Sequence, residues 1–114
     1  MWSVRPERDF IYAKDAADAI VALLETDYTG PVNLGTGTIH SIKEVVEIIE
    51  KLSGKKIKAL DIPVTGPMKF AADISLVAKL TSWKPKYSLE EGLAETIAWM
   101  KENAQFYKPD LYTV

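Results

Sequence analysis

Arg8-Asp9-Phe10-Ile11-Tyr12-Ala13-Lys14-Asp15 runs directly into Ala16, Ala19, Ile20, Leu23 and Leu24. Within residues 9–13, Phe10 and Tyr12 alternate with Ile11 and Ala13, so a strand here would be apolar on both faces, as in a strand covered on two sides. The apolar positions that follow recur at three-to-four spacing, which predicts a buried helix to about Glu25. Asp15 stands where its side chain would cap that helix, and Thr29-Gly30-Pro31 ends the unit. A strand followed at once by a helix points to an α/β fold.

Working outward, residues 32–34 predict a short strand that meets a Gly35-Thr36-Gly37 turn. Ser41, with Glu44 three residues later, predicts a capping box for a second helix with the stripe Ile42, Val45, Val46, Ile49 and Leu52. Ser53-Gly54 supplies its stop. Residues 56–60 alternate polar with apolar, predicting a half-exposed strand broken by Asp61-Ile62-Pro63. A third, shorter helix is expected after Asp73 as N-cap, and Lys84-Pro85 forces extended backbone before the last helix. Ser88 and Glu91 repeat the capping box there, ahead of the stripe Leu89, Leu93, Ile97, Met100 and Ala104. Gly92 inside that helix costs about 1 kcal/mol relative to Ala, which suggests close packing against a neighbour. No internal repeat or linker divides the chain, and its tail after Asn103 is aromatic but unpatterned.

The composition is that of an ordinary globular chain. Its 114 residues make one domain, with 47% hydrophobic and 26% charged residues, a size able to bury roughly two thirds of its unfolded surface. The net charge is −2, and cations are scattered among carboxylates, which disfavours nucleic acid or an anionic membrane as partner. The apolar run of residues 16–24 is interrupted by Asp18 and falls far short of a bilayer span, and no leader pattern opens the chain. The expected setting is therefore cytoplasmic. With no cysteine and one histidine, thiol chemistry is excluded and no metal site is expected.

Three separated stretches occur in an order that resembles the NAD-dependent nucleotide-sugar epimerases and dehydratases of the extended short-chain dehydrogenase family. They are the segment Arg8 to Asp15, the loop Asn33-Leu34-Gly35-Thr36-Gly37, and Trp83-Lys84-Pro85-Lys86-Tyr87-Ser88-Leu89-Glu90-Glu91-Gly92. The resemblance covers residues 8–102 and implies the small C-terminal substrate-binding domain of such an enzyme: α/β, with short strands and about four helices, the Rossmann half absent. Neither the glycine-rich dinucleotide loop nor the Tyr-x-x-x-Lys pair of that half occurs here. The resemblance thus implies no cofactor in this chain, NAD(P) in the intact enzyme, a nucleotide-sugar as ligand, and no turnover by residues 1–114 alone. It also makes Trp83 a core anchor. The competing reading is a stand-alone binding or self-association module that keeps the fold without the enzyme. In either case a covering layer is expected over the apolar run of residues 10–13, from the Rossmann domain or from a second copy.

Residues 32–34, the Gly35-Thr36-Gly37 turn, the second helix, residues 56–60 and Asp61 imitate a dinucleotide-binding fingerprint. The third glycine of that pattern would fall at His40, whose side chain obstructs close helix–strand packing, so the loop reads as a tight turn into a capped helix. The resemblance makes Arg8 the first substrate-binding candidate, reaching a phosphate with its planar donor fork. The alternative is a surface pair with Asp9 or Glu7. Lys69 is the second candidate, a point cation where relatives carry an Arg; the alternative is a solvated lysine. His40 and Ser41 point apart and read as loop and cap. Tyr12 and Lys14 lie two residues apart and are assigned no catalysis. Glu90, Glu91, Asp15 and Asp18 are explained by helix N-termini.

Overall fold

The computed structural model describes residues 3–60 and 62–106. The second and last helices fall where their capping signals place them, but the first starts ahead of Asp15, its expected cap, and leaves Ile20 and Leu24 of its expected buried stripe exposed. The first, α1, spans Ala13–Leu24, and α2 spans Ile42–Ser53. Ser41 Oγ accepts the Glu44 amide at 3.1 Å, and Gly54 ends α2 in the left-handed region at φ +69°, a conformation that costs glycine least. Only half of the predicted capping box forms at α2, because the Glu44 carboxylate turns to His40 Nδ1 at 2.9 Å. The short α3, Ser75–Leu80, has Ile74 and not the expected Asp73 at its N-cap, although Asp73 Oδ1 accepts the Ser75 amide at 2.9 Å. In α4, Leu89–Glu102, both halves of the Ser88–Glu91 capping box are present.

The strands depart from the sequence reading. β1 is Glu7–Asp9, not residues 9–13, because its partners reach no further. β2, Ile39–Ser41, pairs with it antiparallel through Glu7↔Ser41, Arg8↔His40 and Asp9↔Ile39. β3, Lys69–Phe70, pairs with it in parallel through Glu7↔Lys69 and Arg8↔Phe70. The sheet order is β2-β1-β3. Residues 32–34 and 56–60 form no strand, since neither finds a partner edge among the described residues. Val32 and Leu34 instead pack on the core formed by Ala19, Val77 and Trp83. Near residues 56–60, the Glu50 carboxylate takes the Ile57 amide at 2.8 Å and the Lys56 ammonium at 3.0 Å. Asp61, the acidic residue of the imitated fingerprint, lies outside the described residues, as do residues 107–114 of the tail.

Packing brings α1 against α3 and α2 against α4. A Lys51–Glu90 pair at 2.9 Å bridges the second contact. Val45 and Val46 are the buried positions of the α2 stripe, and Trp83 is buried as expected. On α4 the stripe ends early: Met100 is exposed, and Ala104 belongs to a 3-10 turn beyond the helix. The first backbone donors of α2 are met by the chain before β1, Ile42 N–H reaching Pro6 O and Lys43 N–H reaching Val4 O, each at 2.9 Å. This ties the start of α2 to the chain that enters the central strand β1.

Candidate functional site

Side chains directly opposite in a sheet project from the same face. The two registers therefore set His40, Arg8 and Phe70 in one row across the sheet, while Glu7 and Lys69 share the other face. Arg8 sits at the centre. Its Nη1 donates to the backbone carbonyls of Glu7 at 2.8 Å and Met68 at 3.4 Å. The pairing with the Glu7 or Asp9 carboxylate, open on sequence grounds, is not what the geometry shows. Among the described residues no carboxylate lies within ion-pair distance of Arg8, and Asp9 is engaged elsewhere. Lys69 Nζ contacts Glu7 Oε2 at 3.0 Å and stays largely exposed, so register separates the two sequence-derived candidates onto opposite faces.

Asp9 organises the loop beside this row. Its carboxylate accepts the Thr36 amide at 2.8 Å, the Thr36 hydroxyl at 2.7 Å and the Gly37 amide at 2.8 Å, with Ala72 N–H further off at 3.4 Å. Burial pushes this carboxyl up, but the hydrogen bonds from Thr36, Gly37 and Ala72 together outweigh it and hold it below its ordinary value. Gly35 is required at this turn: a Cβ there would lie 2.5 Å from Asp9 Oδ2 and 2.6 Å from Ala72 Cβ. The same contacts decide the question of the imitated dinucleotide loop. Its Thr36 and Gly37 amides already point at a carboxylate, which would also repel a phosphate, so these residues do not fit NAD.

A groove of about 310 Å³ runs next to the row, lined by Phe10, Thr36, Thr38, His40, Lys86 and Tyr87. It adjoins an apolar cleft of about 270 Å³ between Phe10–Ala13 and the start of α4. Residues 10–12, expected as a strand, form one wall of that cleft instead. Tyr12 and Tyr87 stack edge to face across it, centroids 4.8 Å apart. Gly92 makes room for this pair, as its predicted close packing requires: a Cβ would lie 3.0 Å from Tyr12 Cβ.

Asp15 has a role the sequence reading missed. Tyr12 occupies the N-cap of α1 without a side-chain bond, so Asp15 is not a cap. It is fully buried, and its carboxylate accepts the amides of Lys86 at 3.1 Å and Tyr87 at 3.0 Å. Thus α1 holds the extended segment that carries Tyr87 to the groove. Lys86 is pinned in turn by Asp18 at 2.9 Å, a bond that raises the affinity of its ammonium for its proton. Tyr12 and Lys14 both reach Glu95, at 3.4 and 2.8 Å, an exposed polar clasp without an adjacent nucleophile. No signal in the sequence places Asp15 beside residues 71 positions away.

With this geometry in hand, comparison with known proteins is specific. The model of the GDP-mannose 4,6 dehydratase family matches residues 3–96. UDP-glucuronate 4-epimerase of Thermodesulfobacterium geofontis is 40% identical over 109 residues, covering 89% of this chain and 32% of that protein. Among solved structures, UDP-glucuronic acid 4-epimerase from Bacillus cereus in complex with UDP-glucuronic acid and NAD superposes with a TM-score of 0.76 at 30% identity, over 90% of this chain and 34% of that one. The dTDP-glucose 4,6-dehydratase from Bacillus anthracis in complex with NAD gives a TM-score of 0.80 at 29% identity, over 95% and 36%. The chain spans about a third of the length of these relatives. By the match along residues 3–96, the chain belongs to the GDP-mannose 4,6 dehydratase family, among the NAD-dependent epimerases and dehydratases.

Proposed function

We propose that this chain is the C-terminal, substrate-side part of an NAD-dependent nucleotide-sugar epimerase or dehydratase, gripping the nucleotide diphosphate while the remainder of the enzyme carries NAD and performs the redox step. The observation that carries this reading is Arg8. Its guanidinium is oriented by two backbone carbonyls and has no ion-pairing carboxylate among the described residues, on a sheet face that borders an open groove. A positioned cation without a counter-charge suits an incoming phosphate. Lys69 is proposed only in a secondary role, for a ligand that reaches round the β3 edge, because its pair with Glu7 lies on the face away from Arg8.

The 114-residue chain mixed with UDP-glucuronic acid and NAD is expected to give no turnover. Joined to the N-terminal two thirds of the Thermodesulfobacterium geofontis relative, it is expected to support epimerisation. In that chimera Arg8→Ala should lower kcat/KM by about 10- to 100-fold, the loss of a charged hydrogen bond. Arg8→Lys should recover only part, because a point cation lacks the bidentate fork. Turnover by the isolated chain, or an Arg8→Ala chimera as active as its parent, would sink the division of labour.

A second reading, a self-associating module, is favoured by one feature. Ala13, Ala17, Ile20 and Leu24 lie on one face of α1 and are all exposed. Two small residues followed by two large ones are self-complementary in an antiparallel pair, large over small.

A further inference from the structure

We propose that His40 is a second contact for the diphosphate, acting as an imidazolium donor beside Arg8; this deepens the reading of the same site and rests on it. The register makes His40 the direct cross-strand partner of Arg8, so the two side chains leave the same face from neighbouring strands about 4.8 Å apart. Both side chains thereby belong to the sheet face that borders the groove. His40 also lines the groove that opens beside the row, and its side chain is 25% exposed, so it is reachable yet held.

Glu44 sets what the ring can do. Its Oε1 lies 2.9 Å from His40 Nδ1, and a carboxylate partner assigns the proton on that nitrogen. The other nitrogen, Nε2, is a lone-pair acceptor in the neutral ring and repels phosphate oxygen. Once protonated it becomes a charged donor, with Glu44 compensating the imidazolium from behind. Binding by this route takes up one proton, placed on Nε2. Among the described residues, the charged groups nearest the ring are Glu44 on α2, which contacts it, its cross-strand neighbour Arg8, and Lys86 across the groove, whose ammonium is paired with Asp18.

The chain contains a single histidine, so its ring resonances report on this residue alone. UDP-glucose serves as probe, because its phosphates do not titrate near neutral pH. On saturation the His40 ring signals are expected to move to the imidazolium position at pH 7. The affinity should be several-fold higher at pH 6 than at pH 8. His40→Gln, which keeps a donor for Glu44, should weaken binding about 3- to 10-fold and flatten the pH dependence, as expected for one charged hydrogen bond. Glu44→Gln should weaken binding through the same ring, and backbone amide spectra verify that both variants fold. If Arg8→Ala loses binding while His40→Gln binds like the parent and the ring signals stay fixed, the role of His40 is overturned and the Arg8 reading stands. If the parent chain does not bind UDP-glucose, or Arg8→Ala binds as tightly as the parent, both fall together.

Discussion

The Asp9 carboxylate receives two amides and a hydroxyl from Thr36 and Gly37, and this joins β1 to the turn that leads into β2. In Asp9→Asn one oxygen becomes an NH2 group facing an amide donor, so at least one of these bonds is lost and a donor is left unmet. The expected cost is about 2 kcal/mol, read as a lowered urea midpoint. The pH dependence follows from the depressed folded-state value of Asp9 relative to the ordinary 3.8. Such a group stabilises the fold fully above the unfolded value, and that contribution is lost as pH falls through the lower folded value. The gap between parent and Asp9→Asn should therefore be widest above pH 5 and close below about pH 4. A gap constant from pH 7 to pH 3 would show that the carboxylate charge is immaterial. Asp9 is adjacent to Arg8 in sequence, which by itself allows a surface pair between them. Alternation along the strand turns the two away from each other, a separation that becomes visible only once β1 is known to pass through both residues.

At the scale of elements, helices were legible and strands were not. Ser41, Gly54, Ser88 and Glu91 act within a few residues of themselves, so their capping and stop signals carry the same meaning wherever the segment ends up. A strand exists only through a partner. Residues 32–34 and 56–60 have the local character of strands but find no partner edge among the described residues, whereas Ile39–Ser41 and Lys69–Phe70, unremarkable in sequence, meet β1. Gly92 lies between these cases: its cost to α4 is local, while its reason, the Tyr12 ring, is tertiary. Gly92→Ala would gain about 1 kcal/mol of helix propensity. It would also press a methyl to 3.0 Å from Tyr12 Cβ and 3.2 Å from Tyr12 Cγ. Because the obstacle includes the Cβ, at the root of the side chain, Tyr12 cannot swing clear cheaply, and a net loss of about 1 kcal/mol is expected. Thermal unfolding measures it, and an Ala variant that melts higher than the parent would show that the Tyr12–Tyr87 wall yields.

For the whole molecule, surface is the telling quantity. Among the described residues, Ile20 is 51% exposed and Leu24 79%, on the α1 face that also carries Ala13 and Ala17. The isolated chain is expected to dimerise with rising concentration through this face, seen by light scattering. Leu24→Glu should return it to monomer without loss of fold, since the side chain it replaces packs little. A parent chain that stays monomeric at every concentration would remove the self-associating reading. The sequence by itself determined the α/β class, the four helices, the Gly35-Thr36-Gly37 turn, Trp83 in the core and Arg8 as first candidate, because each rests on local signals or on a resemblance spread along the chain. Tertiary structure alone decided that Asp15 holds the Tyr87 segment, that Lys69 is set on the face away from Arg8, and that His40 stands beside Arg8. Strand register and side-chain burial join residues tens of positions apart, and no local pattern encodes which edge a strand will meet.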